Sequence, residues 1–256
     1  MVSGEQYENA DPELPEGVTS MTTQSEQTIL AVGAHCGDIE VSCGAVLIKH
    51  RKAGHRVTIL HLTLGEGGNP KMSPEEYAKQ KRHEALSAAK VIGAEVLIGQ
   101  YKDGEIPNNE EARRYVADVI RQVRPTHIIA HWRSSLHKDH AATHAIVNDA
   151  VLLASLEGVV TQHPRHRGVS GIYYTENWED PEGFKPYLYV DVTNELALWK
   201  EAATQYQFIK GGISSFPYLD YYEALARVRG AEAGTRYAVA FDINPFEKKR
   251  VVDLLP

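Results

Sequence analysis

The chain has 256 residues, of which 43% are hydrophobic and 24% charged, enough to bury one substantial core in a single α/β domain. A net charge of −7 gives no basic face for nucleic acid, and no apolar run approaches the roughly 20 residues of a membrane helix. Two cysteines, Cys36 and Cys43, fit a reducing, cytoplasmic compartment and supply no disulfide framework.

Residues 1–27 are polar, acidic and rich in Gly, Pro, Ser and Thr, which predicts a flexible extension dispensable for folding. They lack the basic start and apolar core of a signal peptide. From Thr28, strand and helix patterns alternate as one domain over 28–256. Ile29 to Val32 is a short run of β-formers, read as the first strand. Ser42, as a cap, opens a helix to Ala53 that Gly54 ends. Val57 to Thr63 is the second strand, followed by the loop Leu64 to Pro70. That loop has neither the G-x-G-x-x-G order of a dinucleotide site nor the lysine of a phosphate loop, which disfavours a nucleotide binder.

Ser73 and Pro74 start a long helix to Ile92, with Ser as cap and Pro at its first position. Arg82 and Glu84, two apart, do not share a face of it. Glu95 to Tyr101 is a third strand, Asn109 to Val123 a helix, and Thr126 to Trp132 a fourth strand. Asp139 to Leu156 is an apolar helix. Gly171 to Glu176, Tyr187 to Val192 and Tyr237 to Ile243 read as further strands. A helix is expected from Asn194 to Phe208, and another after Tyr218, Tyr221 and Tyr222, reaching Arg229. The alternation predicts a three-layer, Rossmann-like α/β fold with a mostly parallel sheet and right-handed connections.

In such sheets ligands bind at the carboxyl ends of strands. His35 and Asp38 follow the first strand at once. The fourth strand leads into His131, His137, Asp139, His140 and His144 within fourteen residues. Imidazole and carboxylate suit zinc, and a catalytic zinc takes three protein ligands plus an open position. His35, Asp38 and one histidine of the second cluster supply that set. Asp139 also reads as a helix cap, and His144 as a residue on the helix face. Glu66 lies after the second strand, near the same sheet edge.

These stretches resemble the LmbE-like, or PIG-L, family of zinc-dependent N-deacetylases. The family's His-Pro-Asp-Asp motif with a following acid stands here as His35-Cys36-Gly37-Asp38-Ile39-Glu40. Its His-x-Asp-His motif stands as His137-Lys138-Asp139-His140. Thr63-Leu-Gly-Glu66-Gly, Arg82-His-Glu84-Ala, Asp103-Gly104, Asp191-Val-Thr193 and Tyr237-Ala-Val-Ala-Phe241 extend the likeness over about residues 28–243, closest to the bacillithiol-type deacetylase branch. The resemblance implies zinc on His35, Asp38 and His140. It implies acid catalysis by a charged His137 oriented by Asp139, and makes Arg82 a substrate-contact candidate; Glu66 joins it as a substrate-binding candidate through its place at the sheet's ligand edge. The substrate it implies is a small N-acetylated amino sugar or glycoside, with no nucleic acid or membrane partner. It also implies a homo-oligomer, a trimer or hexamer, and a substrate-contacting tyrosine from the C-terminal part.

The family's first motif Asp, its general base, is Gly37 in this chain, and the Glu of its Tyr-Ala-Glu-x-Phe motif is Val239. Two readings follow. One is an active deacetylase in which His137, Glu40, Glu66 or a substrate group takes the water proton. The other is a zinc-binding member weakened by a natural or introduced loss of its base, retaining ligand recognition. If the second holds, Gly37→Asp should raise turnover on the order of 10²-fold.

Overall fold

Every residue of β1 (Thr28–Gly33) is buried, because helices cover both faces of the sheet around it. The structure, a computed structural model, describes residues 26–180 and 182–248. Of the expected extension, residues 1–25 lie outside the described residues. Gln27 already belongs to the body: its N–H donates to His55 Nδ1, and its carbonyl accepts from Arg56.

Seven strands form one sheet. Its order is β3 (Glu95–Tyr101), β2 (Arg56–Thr63), β1, β4 (His127–His131), β5 (Gly171–Thr175), β7 (Ala238–Ile243) and β6 (Leu188–Asp191). Pairs from β3 through β5 are parallel; β7 runs antiparallel to both β5 and β6. The chain travels outward from β1 to β3 and then returns to β4 on the other side of β1. That reversal opens a crevice at the carboxyl ends of β1 and β4.

Two apolar cores flank the sheet. On one face α1 (Asp38–Lys52), α2 (Pro74–Ile92) and α5 (Leu196–Ala203) pack around Ile39, Leu47, Ile59 and Trp199. On the other, α3 (Glu110–Val123) and α4 (Lys138–Ser155) enclose Leu30, Leu60, Ile120 and Ile146. This is the expected three-layer architecture. Arg121 on α3, only 3% exposed, donates to the carbonyls of Leu153, Ala154 and Leu156, satisfying the end of α4. No helix among the described residues is long and apolar enough to cross a membrane.

Three element boundaries differ from expectation. Helix α1 starts at Asp38 rather than Ser42, because the left-handed Gly37 turns the chain and its carbonyl accepts from Val41 N–H. Ser42 is instead inside the helix, its hydroxyl bonded back to the Asp38 carbonyl at 2.7 Å. Helix α5 stops at Ala203, which frees Tyr206 to turn toward buried Glu40 and Phe208 to turn toward the crevice. Tyr218, Tyr221 and Tyr222 lie on α6 (Tyr218–Ala233) rather than before it, and the helix continues to the Gly234 cap.

Candidate active site

The turn after β1 builds the centre of the site. Gly37, at φ 107° and ψ −24°, permits the sharp entry into α1. Asp38 then folds back, and its Oδ2 accepts from His35 N–H at 2.8 Å. Around that oxygen stand His35 Nδ1 at 3.2 Å, His140 Nε2 at 3.3 Å and His131 Nε2 at 3.3 Å. Donor atoms close enough to share one ion occur in three overlapping groups. These are His35–His137–His140, Asp38–His131–His140 and His35–Asp103–Asp139. The expected triad draws on two of these groups and coincides with none.

Hydrogen bonding discriminates among them. His131 Nε2 accepts from Ala34 N–H at 3.0 Å, so its lone pair is already engaged. Burial, then the neighbouring His140, pushes its pKa down to about 4. His131 is therefore a neutral, buried ring behind Asp38. His35 is different. Its Nδ1 faces Asp38, while Nε2 faces Asp103 Oδ1 at 3.1 Å and Asp139 Oδ2 at 3.3 Å. His140 likewise directs Nε2 toward Asp38 and Nδ1 toward Ser135 Oγ at 3.2 Å and Glu179 Oε2 at 3.4 Å. In each ring one nitrogen points inward and the other donates to an oxygen, which is how metal-bound histidines are held. His35 Nδ1 and His140 Nε2 thus both face Asp38 Oδ2, and imidazole and carboxylate are donors of the kind a divalent cation takes. Burial opposes charge on His35, but Asp38, Asp103 and Asp139 overcome it and hold its pKa well above the ordinary value. Burial likewise works against the Asp38 carboxylate; His140 and His35 prevail and keep its pKa well below the usual range.

The arrangement of His137 departs from expectation. Its Nδ1 accepts from Asp139 backbone N–H at 3.3 Å, as the N-cap of α4. The Asp139 carboxylate goes instead to Gly104 N–H, at 2.7 Å, and to His35. So the Asp139 backbone, not its side chain, orients His137. With Nδ1 accepting, the neutral ring carries its proton on Nε2. Burial, then His35 and His140, lowers its pKa. The ring is thus a neutral donor rather than the charged acid expected.

The remaining expected residues lie outside the centre. Glu40 is fully buried behind it, with Oε1 accepting from Tyr206 Oη at 2.6 Å and 3.2 Å from His61 Nε2. Glu66 Oε1 accepts from Asp103 N–H at 3.0 Å, so it positions that loop and does not line the cleft. Arg82 is exposed on α2 and away from the cleft; its neighbour Lys81 is 4% exposed and lines it. Adjacent side chains on a helix point in different directions, which explains the exchange. His144 directs Nδ1 to the His131 carbonyl at 2.9 Å and stays out of the cleft. Tyr218 and Tyr222 line the cleft, but the Tyr222 hydroxyl is committed to Asn177 Oδ1 at 3.0 Å.

The place where a side chain at position 37 would project is occupied. A Cβ there would lie 2.7 Å from Phe208 Cζ and 2.8 Å from Cε1. The Lys81 ammonium stands over the Phe208 ring at 4.3 Å. The cleft itself, about 210 Å³, is walled by Tyr77, Trp178, Phe208 and Tyr218, with Asp38, Asp103, His137 and His140 at its base. Four of these residues, Tyr77, Asp103, Trp178 and Phe208, were not singled out as site residues from sequence, and neither was Glu179, which also lines the cleft. Glu179 sits on the turn after β5.

Residues 30–151 match the model of the PIG-L family, described as GlcNAc-PI de-N-acetylase, and over that stretch the chain is similar to this family. It is 23% identical over 219 residues to a 4-oxalmesaconate hydratase of Pseudomonas putida, covering 81% of each chain. It is 25% identical over 235 residues to a diacetylchitobiose deacetylase of Thermococcus kodakarensis, covering 85% of this chain and 83% of that one. Among solved structures, the conserved protein TT1542 from Thermus thermophilus superposes with a TM-score of 0.74 at 26% identity. That match covers 90% of this chain and all of the other.

Proposed function

We propose that the protein is a zinc-dependent hydrolase that removes the acetyl group from an N-acetylated amino sugar or glycoside. The observation that carries this reading is the convergence of His35 Nδ1, Asp38 Oδ2 and His140 Nε2 at the ends of β1 and β4, with their outer nitrogens and the opening to the cleft arranged around them. Likeness to a diacetylchitobiose deacetylase over most of both chains supports the substrate class.

A divalent ion in that triad supplies Lewis acidity, polarising an acyl oxygen and lowering the pKa of a water from ~15.7 toward ~7. The chain's own residues do the rest. Asp103 and Asp139 accept from His35 Nε2–H and fix its ring. Ser135 and Glu179 do the same for His140. His137, its Nδ1 held by the α4 backbone, presents Nε2–H to the negative charge that develops on the acyl oxygen. The aromatic walls exclude water and offer flat faces to a sugar ring.

The test is turnover of a panel of N-acetyl amino sugars, read as free amine, with zinc, after chelation, and after zinc is restored. Zinc-dependent amine release is expected; its absence from every substrate defeats the reading. A second reading is favoured by the equally extensive likeness to a 4-oxalmesaconate hydratase together with the missing acid at position 37. In it the same cleft adds water across a carbon–carbon double bond of an unsaturated acid. Including unsaturated dicarboxylates in the panel separates the two. A metal-binding protein with no turnover on either class is the third outcome. Assembly as a homo-oligomer belongs to the first reading and is checked by light scattering.

A further inference from the structure

We propose that Glu179, at the carboxyl end of β5, takes the proton of the attacking water, the task that position 37 cannot perform. The inference rests on the hydrolase reading and names the group that reading lacks.

The other acceptors around the cleft are engaged. Asp38 Oδ2 belongs to the triad. Asp103 has Oδ1 on His35 and Oδ2 accepting from Gly67 N–H at 3.1 Å. Asp139 has Oδ2 on Gly104 N–H and His35, and its Oδ1 is shut away from solvent. His137 has its only free lone pair capped by Asp139 N–H. Glu40 is sealed against Tyr206 and His61. Glu179 is an acid outside the proposed triad: it lines the cleft with its side chain 20% exposed, Oε2 stands 3.4 Å from His140 Nδ1, and Oε1 has no hydrogen bond to any described residue.

Its backbone is nevertheless fixed relative to the histidines. Glu179 N–H donates to Asn177 Oδ1 at 3.2 Å, and Asn177 N–H donates to Asp180 Oδ2 at 3.1 Å. Tyr222 Oη donates to the same Asn177 Oδ1. Leu136 N–H donates to the Glu179 carbonyl at 2.9 Å, one residue before His137. The turn after β5 and the loop after β4 are therefore one unit, with a free carboxylate oxygen on one side and the donor of His137 on the other. Such preorganisation is what a general base needs.

In the step, an O–H bond of water breaks, its proton passes to the Glu179 carboxylate, and the water oxygen bonds to the acyl carbon. The C–N bond then breaks, and the Glu179 carboxylic acid returns the proton to the leaving nitrogen. The products are the amine and the carboxylic acid, with Glu179 again a carboxylate.

The test compares zinc-loaded, full-length wild type with Glu179→Gln and Glu179→Ala. For Glu179→Gln the expected result is a kcat lower by about 10²–10⁴-fold, with KM within a few-fold and zinc per chain unchanged by elemental analysis. Formate should partly restore kcat in Glu179→Ala but not in Glu179→Gln, where no room is vacated. If Glu179→Gln turns over like the wild type, the proposal fails while the hydrolase reading stands. Loss of zinc in Glu179→Gln also overturns it, since Glu179 would then act only by holding His140. A wild type inert on every N-acyl amide defeats the hydrolase reading and this inference together.

Discussion

Replacing Gly37 by Asp is the change that the family motif invites, and the structure argues that it fails. Two costs fall on one residue. The backbone at φ 107° lies beyond the left-handed region that a non-glycine residue tolerates, which costs on the order of 1–3 kcal/mol. The new Cβ would lie 2.7 Å from Phe208 Cζ, and overpacking of that kind costs about 1–3 kcal/mol. Phe208 has little freedom to withdraw: Tyr218 packs edge-on at 5.1 Å between ring centroids, Tyr206 lies at 5.5 Å, and the Lys81 ammonium stands over its face. Together the penalty is about 2–6 kcal/mol, a large share of the roughly 5–15 kcal/mol that holds a typical domain. Differential scanning fluorimetry should show the melting temperature lower by about 4 °C or more, and amine release below wild type rather than about 10²-fold above it. Adding Phe208→Ala should recover the steric part and leave the backbone part. A Gly37→Asp protein with wild-type melting temperature and faster deacetylation would refute the geometry at this turn, and with it the reason for seeking a base elsewhere.

Protein purified without chelator should hold about one zinc per chain. His140→Ala should lose it, whereas His131→Gln should keep it because the His131 lone pair already serves Ala34 N–H; elemental analysis decides, and zinc loss in His131→Gln would place His131 among the ligands. His137→Asn preserves a good N-cap for α4 but removes the imidazole donor, so kcat should fall about 10²–10⁴-fold with the melting temperature nearly constant. Equal loss of stability and activity would make His137 merely a cap. Far from the site, burial, helped by His55, His127 and Lys49, pushes the His50 pKa down to about 4 from its usual 6.5. Between those values the unfolded chain binds more protons, so stability falls as pH drops from about 6.5 to about 4. His50→Gln should flatten that segment of the melting-temperature curve; an unchanged slope would assign the acid sensitivity to other groups.

Much of the fold is written in local pattern. The alternation of short β-branched runs with capped helices places all seven strands, and Ser73-Pro74-Glu-Glu marks a helix start that the structure keeps as a complete capping box. The misplaced start of α1 has a specific cause. Ser42 looks like a cap because serine often is one, yet a glycine with positive φ five residues earlier turns the chain first, and φ is not written in a residue's identity. Periodicity alone likewise gave no reason to end α5 at Ala203. The residues after it leave the helix because Tyr206 is needed by buried Glu40, a contact 166 positions away in sequence. The site is legible to the same degree. His35, Asp38, His137, Asp139 and His140 announce themselves by type and spacing and do come together. Which oxygen faces which nitrogen is decided by backbone donors at Ala34, Gly104 and Asp139, and these have no sequence signature.

Strands of a parallel sheet deliver residues at their carboxyl ends, as β1 and β4 deliver the histidines. β5 is the next parallel strand beyond β4, in register with it from His127–Gly171 to His131–Thr175. The residues that follow it must therefore rise beside those that follow β4. Asn177-Trp178-Glu179-Asp180 is that segment, and it brings an acid, an aromatic face and a turn-forming amide to the cleft. On the proposed reading the three strand ends would divide the work. β1 would supply two cation donors, and its glycine leaves no room for a side chain at position 37. β4 would lead to the third donor and an imidazole N–H. β5 would lead to the Glu179 carboxylate that lines the same cleft. This last turn is held by two hydrogen bonds of its own, by one from Tyr222 on α6, and by one from Leu136 N–H in the loop that leads to His137 and His140.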